Sequence, residues 1–211
     1  MKDEILNYND YKSTILKYEF AKKKIETELE IILGQYENKT GYAMVEHIKS
    51  RIKSYESCIN KLKRRGYSVD TKNLEEHVHD VIGVRIVCSF LSDVYEIVDI
   101  IKNSKRFKIK EESDYIKSPK SSGYVSYHMN VMVPLYWDDE TIYVEAEIQI
   151  RTIAMDFWAS LDHKLRYKLV SDIPSDLEEE MLTCSDDIRL LDVTMQNLYE
   201  SVKNIRTKQN K

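Results

Sequence analysis

Two short stretches of this chain hold residues whose types and spacing could do chemistry. In HVHDVIGVRIV, residues 77–87, His77, His79 and Asp80 stand just ahead of an apolar, β-branched run. In IYVEAEIQIR, residues 142–151, apolar and polar side chains alternate. As a strand, that segment puts Ile142, Val144, Ala146, Ile148 and Ile150 on one face, and Tyr143, Glu145, Glu147, Gln149 and Arg151 on the other. Two acids, an amide and an arginine held on rigid sheet suit a metal–nucleotide site, against the plainer reading of a solvated edge. Asp80 sits where the chain enters a strand, a usual place for a working residue at the end of a sheet. Two chemistries are open. His79 and Asp80 could form half of a metal pair that breaks phosphate esters. Alternatively, Asp80 could join a carboxylate from another strand around Mg²⁺ and a nucleoside triphosphate, with nearby lysines and arginines taking the remaining phosphate charge.

The histidines favour the second. A histidine–aspartate hydrolase needs further ligands, and the remaining His47, His128 and His163 lie in no such motif; His77 and His79 read as surface or helix-end residues. KSSGYVSYH, residues 120–128, combines Lys120, Gly123, Tyr124, Ser126 and His128, but lacks the GxxxxGK[ST] spacing of a phosphate loop. If 124–132 is a strand, Tyr124, Ser126, His128 and Asn130 share a face, a ring with polar groups beside it that suits a nucleoside. A tyrosine covering a strand end is the alternative.

The bulk properties fit a soluble globular protein. With 42% hydrophobic and 32% charged residues in 211, the chain reads as one globular domain with helical additions. A net charge of −4 gives no global pull toward nucleic acid or anionic lipid, yet residues 49–65 carry seven Lys or Arg against the single Glu56. Cys58, Cys88 and Cys184 form no CxxC pair and each sits in an apolar pattern, so buried thiols in a reducing compartment are expected. The start, MKDEILNYND, shows no signal-peptide pattern, and no apolar run approaches membrane-spanning length. A cytoplasmic protein is expected.

These residues need elements to position them. Ile5, Tyr8, Tyr11, Ile15, Ile25, Leu29 and Ile32 mark a helix over 3–33 with an uneven stripe, ended by Gly34 and the NKTG stretch. Residues 42–66 support two readings. They form one helix on the spacing of Val45, Ile48, Ile52, Tyr55, Ile59 and Leu62, or a strand over 45–53 followed by a helix capped by Ser54. Either way Lys53, Ser57, Lys61 and Arg64 can line one side. Residues 82–90 predict a strand with Arg85 on the opposite face to its apolar residues and Gly83 leaving space beside it. A short helix follows at Val94–Ile101, then strands near 106–110 and 125–134 around the loop 117–123, and a helix from the end of 142–151 through 168. After Pro174, Ser175 and Glu178 read as a capping box. From there Leu177, Met181, Cys184, Ile188, Leu191, Met195, Leu198, Val202 and Ile205 hold a four-three repeat that needs a partner.

RIKSYESCINKLKRRG, HDVIGVRIVCSF, PKSSGYVSYH and EAEIQIRTIAMDFWASLDHKLRYK together resemble the stand-alone small alarmone synthetases, single-domain members of the RelA/SpoT-type (p)ppGpp synthetase family. The resemblance covers about residues 45–170, and EIQIRT is its most distinctive phrase. It implies an α/β fold: a mixed sheet of about five strands, nucleotidyltransferase-like, flanked by helices, with long N- and C-terminal helices. It also implies one synthetase domain over 1–211, without the family's hydrolase domain, and terminal helices 3–33 and 175–207 used in a homo-oligomer, a tetramer being favoured. The implied activity moves the β,γ-diphosphate of ATP to the 3′-hydroxyl of GDP or GTP, with GMP a further acceptor, releasing AMP. An allosteric alarmone or RNA is a further partner the resemblance suggests.

By the same resemblance, Asp80 and Glu147 match the two Mg²⁺-binding acids, with Glu147 also helping to deprotonate or orient the attacking hydroxyl. Arg51 and Arg85 match the pair that sandwiches adenine. Lys53, Ser57, Lys61 and Arg64 match the ATP phosphate contacts, which favours the strand-then-helix reading of 45–65. Tyr124 matches the ring that stacks on guanine, Lys120 and His128 match contacts to the acceptor's phosphates, and Gln149 a polar group beside it. Two positions depart from the pattern. Val125 stands where relatives often have Arg, and Asp156 where some have Asn near the guanine edge. A metal-dependent nucleotide phosphohydrolase and a non-enzymatic nucleotide- or RNA-binding regulator are the rival readings.

Overall fold

The computed structural model describes residues 8–168 and 174–209. Five strands form one mixed sheet in the order β1-β2-β5-β4-β3: β1 (Val45–Ile52), β2 (Ile82–Cys88), β3 (Lys108–Asp114), β4 (Tyr127–Trp137) and β5 (Glu140–Thr152). Only β2 and β5 run parallel; the other neighbours are antiparallel. The helices are α1 (Tyr8–Thr40), α2 (Tyr55–Arg64), α3 (Thr71–His77), α4 (Leu91–Ser104), α5 (Ile153–Lys168) and α6 (Ser175–Gln209). Among the described residues no helix is long and apolar enough to cross a membrane.

The alternation in the strands sorts the molecule into a dry face and a polar one. Ile82, Val84, Ile86 and Cys88 of β2, Val144, Ala146, Ile148 and Ile150 of β5, and Met129, Val131 and Val133 of β4 are buried in one core. That core is closed by α1 and α4, which pack on the sheet. The opposite face carries Arg51, Gly83, Glu147 and Asn130 in one cross-strand row and Lys49, Arg85, Gln149 and His128 in the next. A one-residue slip would turn these groups into the core, so burial of the apolar set fixes the register of the polar set.

Several expected boundaries shift for identifiable reasons. The first helix runs on through Gly34 to Thr40, because Gly34 faces open space and Ile32 and Leu33 bury beside it; Gly41, at φ 68°, ends it. Tyr18 and Ala21 are buried and fill the gap in its apolar stripe. Ile5 lies outside the described residues. Residues 45–64 are a strand followed by a helix: Ser54 is the cap, its side chain accepting from the Ser57 amide. The short helix α3 is not foreseen by periodicity, having only Leu74 buried, and is started by Asp70 accepting from the Asn73 amide. β3 begins later than expected, and β4 begins at Tyr127, so residues 124–126 are loop. At the start of α6 the Pro174 carbonyl accepts from the Glu178 amide, which makes Ser175 the first helical residue and not the cap. Cys58 and Cys88 are buried as expected, whereas Cys184 is exposed on α6.

Of the α6 repeat Met181 reaches the core, but its later members do not. The helix turns Met181, Ser185 and Asp192 inward, and leaves Leu191, Met195, Leu198, Val202 and Ile205 44–56% exposed. Tyr199, on the inward side, stacks on Phe90 with ring centroids 4.3 Å apart.

Candidate active site

Asp80 is the hub of the first cluster. It lies between α3 and β2, and its carboxylate accepts from Lys53 Nζ at 2.8 Å and Lys61 Nζ at 2.7 Å. The cap at Ser54 sets this arrangement, since it ends β1 beside Lys53 and aims the first turns of α2 so that Lys61 returns to the same acid. Burial alone would raise the Asp80 carboxyl; the hydrogen bonds and charges of the two lysines outweigh it and hold it at about 2. Ser57 and Arg64 follow on the exposed surface of α2, at helical spacing from Lys61.

A cleft of about 280 Å³ opens above the polar face, lined by Arg51, Asp80, Gly83, Arg85, Glu147 and Gln149 among others. Within it, Arg51 and not Arg85 crosses the bare Gly83: the two residues are cross-strand partners, and a Cβ on Gly83 would stand 3.7 Å from Arg51 Cγ. Arg85 reaches the other way, to Asp156 on α5 at 3.1 Å. Its Nε is buried without a hydrogen-bond partner among the described residues, a donor left over at the cleft.

A smaller cavity of about 110 Å³ adjoins, lined by Tyr115, His128, Asn130 and Glu147. Glu147 therefore belongs to both. Its carboxylate lies 3.3 Å from His128 Nδ1 and accepts from Gln149 Nε2. Burial raises its pKa, but these partners outweigh burial and hold it below the ordinary glutamate value. Tyr124 enters from the loop before β4, its hydroxyl 2.8 Å from His128 Nε2 and its ring edge-on to Tyr115. Lys120 Nζ stands over both rings, 4.4 Å from the Tyr115 centroid and 5.0 Å from that of Tyr124.

Arg151 joins these parts, and the sequence reading gave it no role. Only 4% exposed, it donates to Asp156 at 3.1 Å, to Gln149 at 2.7 Å, to the Tyr124 hydroxyl and to Ser126 Oγ. Its place on the polar face of β5 was visible; that its partners would come from a loop and the next helix was not. Asp156 thus bridges Arg85 and Arg151. Tyr115 was likewise missed, since no periodicity marks a loop ring. Val125 is buried and turned away from the cleft, toward α6.

His79 takes no part with Asp80. Its Nδ1 lies 3.0 Å from Glu145, which also accepts from Lys110 at 2.8 Å, while His77 stacks on Tyr67 with centroids 3.8 Å apart. Among the described residues no three His, Cys, Asp or Glu side chains are grouped to hold a metal. Asp80 and Glu147, two ionised carboxylates on one cleft, fit instead a magnesium ion that completes its shell with water and substrate phosphates.

The region found in RelA and SpoT proteins matches residues 50–172, the span that holds nearly all of these groups. The chain belongs to the RelA/SpoT family, among its small alarmone synthetases. It is 44% identical over 193 residues to the GTP pyrophosphokinase YwaC of Bacillus subtilis, with 92% of each chain covered. The crystal structure of small alarmone synthetase 2 from Bacillus subtilis superposes with a TM-score of 0.81 at 43% identity, covering 91% of this chain and 99% of that one. Small alarmone synthetase 1 of the same organism, bound to its product pppGpp, superposes at 0.83 with 30% identity, covering 91% and 97%. The five-stranded mixed sheet with long terminal helices is the fold of these small alarmone synthetases.

Proposed function

We propose that this chain is a pyrophosphokinase that transfers the β,γ-diphosphate of ATP to the 3′-hydroxyl of GDP or GTP, giving (p)ppGpp and AMP, with GMP a further acceptor. The observation that carries the reading is Glu147 standing between two adjoining cavities, one walled by Lys49, Arg51 and Arg85 and the other by Tyr115, His128 and Asn130. A transfer between two nucleotides needs two seats and one group common to both.

In the larger cavity, Arg51 and Arg85 hold adenine between their planar guanidinium groups, Arg51 having the room that Gly83 leaves. Lys53 and Lys61, now on Asp80, turn to the triphosphate, joined by Ser57 and Arg64 from α2. At and beside the smaller, the Tyr124 ring takes the guanine face and Lys120 and His128 the acceptor's phosphates, while Gln149, from the larger cleft, and Asp156 take polar edges of the nucleotide. Asp80 and Glu147 would hold Mg²⁺, which supplies charge neutralisation on the transferring diphosphate. Glu147, ionised by its surroundings, orients the acceptor hydroxyl and can take its proton. No activated serine or cysteine is required, since transfer of this kind asks for alignment and charge compensation.

The exposed apolar side of α6 supports assembly as a homo-oligomer, a tetramer being favoured, and ATP and guanine nucleotides as substrates fit work in the cytoplasm. The reading is tested by incubating the protein with ATP, Mg²⁺ and GDP or GTP beside Glu147→Gln and separating the nucleotides. A guanosine 3′-diphosphate species plus AMP, lost in the variant, is expected. ATP cleaved to ADP or phosphate with guanosine unmodified would replace transfer by hydrolysis.

A further inference from the structure

Two of the hydrogen bonds that seat helix α6 on the core, those of Ser185 and Asp192, fall beside the acceptor cavity's supports. Ser185 Oγ donates to the Gly123 carbonyl at 2.6 Å. Only glycine permits that approach: Gly123 has φ +77°, and a Cβ there would stand 2.7 Å from Ser185 Oγ and 3.3 Å from Leu182 Cδ2. Two turns along α6, Asp192 accepts from Thr152 Oγ1 at 2.6 Å, and Thr152 Oγ1 accepts from the Met155 amide at 3.1 Å at the start of α5. Ser185 and Asp192 are 1% and 6% exposed, the two polar members of the inward face. Between them lies a cavity of about 320 Å³, walled by Val125, Met155, Leu190 and Val193. Close packing is missing there, so on this stretch of α6, between buried Met181 and the Tyr199–Phe90 stack, the two hydrogen bonds fix its position.

Each bond holds one support of the acceptor cavity. Gly123 immediately precedes Tyr124. Thr152 follows Arg151 and caps the turn of α5 that carries Asp156. The cleft residues Arg51, Lys53, Asp80 and Gly83 make no contact with either bond, and Arg85, through its ion pair with Asp156, links the cleft to the second. We propose that Ser185 and Asp192 are positioning residues for the acceptor nucleotide, so that the seat of α6 sets acceptor affinity far more than ATP affinity. The proposal rests on the pyrophosphokinase reading.

The test compares full-length wild type with Ser185→Ala, Asp192→Ala and Asp192→Asn, by kinetics in which each substrate is varied at saturating levels of the other. Hydrogen–deuterium exchange of the substrate-free proteins runs beside it. Loss of one such bond is expected to raise the acceptor KM about three- to tenfold in Ser185→Ala and Asp192→Ala, with the ATP KM within about twofold. Asp192→Asn, whose amide oxygen still accepts from Thr152, should stay near wild type. Exchange should quicken over 120–126 in Ser185→Ala and over the first turn of α5 in Asp192→Ala. An acceptor KM that does not move, or one that rises in step with the ATP KM, overturns the proposal whatever the exchange shows. A wild type that makes no guanosine 3′-diphosphate sinks the functional reading instead, and the exchange data then decide separately whether α6 seats the loop.

Discussion

Arg51 lies across Gly83 of the neighbouring strand, and the glycine's missing side chain is what leaves the guanidinium its place on the cleft wall. A Cβ at Gly83 would meet Arg51 only in ordinary van der Waals contact, at 3.7 Å and 3.8 Å. Gly83→Ala is therefore expected to leave the ATP KM within about twofold, whereas Gly83→Leu fills the slot and raises it about tenfold or more, an overpacking cost of about 1–3 kcal/mol. Thermal midpoints measured alongside separate this from misfolding. Equal effects of the two substitutions would remove the slot from the account.

Asp80 binds two lysines with its single charge, and this gives a pH signature. Its folded pKa, about 2, lies below the ordinary aspartate value. Such a group contributes stability above roughly pH 4, and the contribution is lost as pH falls through about 2. The size is roughly 2 kcal/mol, the side chain being 22% exposed. Urea midpoints recorded from pH 5 down to 2 should fall more steeply for wild type than for Asp80→Asn. In the assay, Asp80→Asn is expected to lower turnover at least about a hundredfold, as the loss of one of the two carboxylates proposed to hold Mg²⁺. Parallel urea curves would show that the lysine contacts are not energetic in solution.

The site was legible where it follows strand alternation and illegible where it depends on loops. Glu147 and Gln149 announced themselves through the unbroken pattern of 142–151, because one face had to enter the core. Lys53 and Lys61 could be placed beside Asp80 only once Ser54 was known to end the strand, a choice that periodicity alone left open. The bridge from Arg85 through Asp156 to Arg151 joins two strands and a helix, and no local rule predicts it. Helix α1 overran its expected end because the burial of Ile32 and Leu33 outweighs the modest helix penalty of an exposed Gly34.

Arg151 is expected to matter as much as the acids. It supplies donors to four side chains at once from a buried position, a fork that lysine does not reproduce. Arg151→Lys should lower kcat/KM for the acceptor about a hundredfold, roughly 2.7 kcal/mol, through the loss of Tyr124 and Asp156 placement. The ATP KM should rise less, through Arg85 alone. Fluorescence or exchange at Tyr124 would show whether the ring has moved, and wild-type kinetics in this variant would make Arg151 a bystander.

The apolar side of α6 makes the last prediction. Leu191 and Leu198 are 53% and 55% exposed while the opposite side of the same helix buries Ser185 and Asp192. A helix that leaves a row of large apolar side chains in water while its inward face is already packed is arranged for a neighbour on that outer row. Each leucine buried there would contribute about 1.5–3 kcal/mol, so a few of them suffice to hold an assembly together. Leu191→Asp and Leu198→Asp should therefore reduce the mass seen by sedimentation velocity, and a charged pair on that face should do so more completely than either alone. Ser185 and Asp192 sit on the same helix, so dissociation should also raise the acceptor KM more than the ATP KM. A single-copy mass for wild type, unchanged by both substitutions, would leave α6 a helix that seats the acceptor loop and binds no second copy.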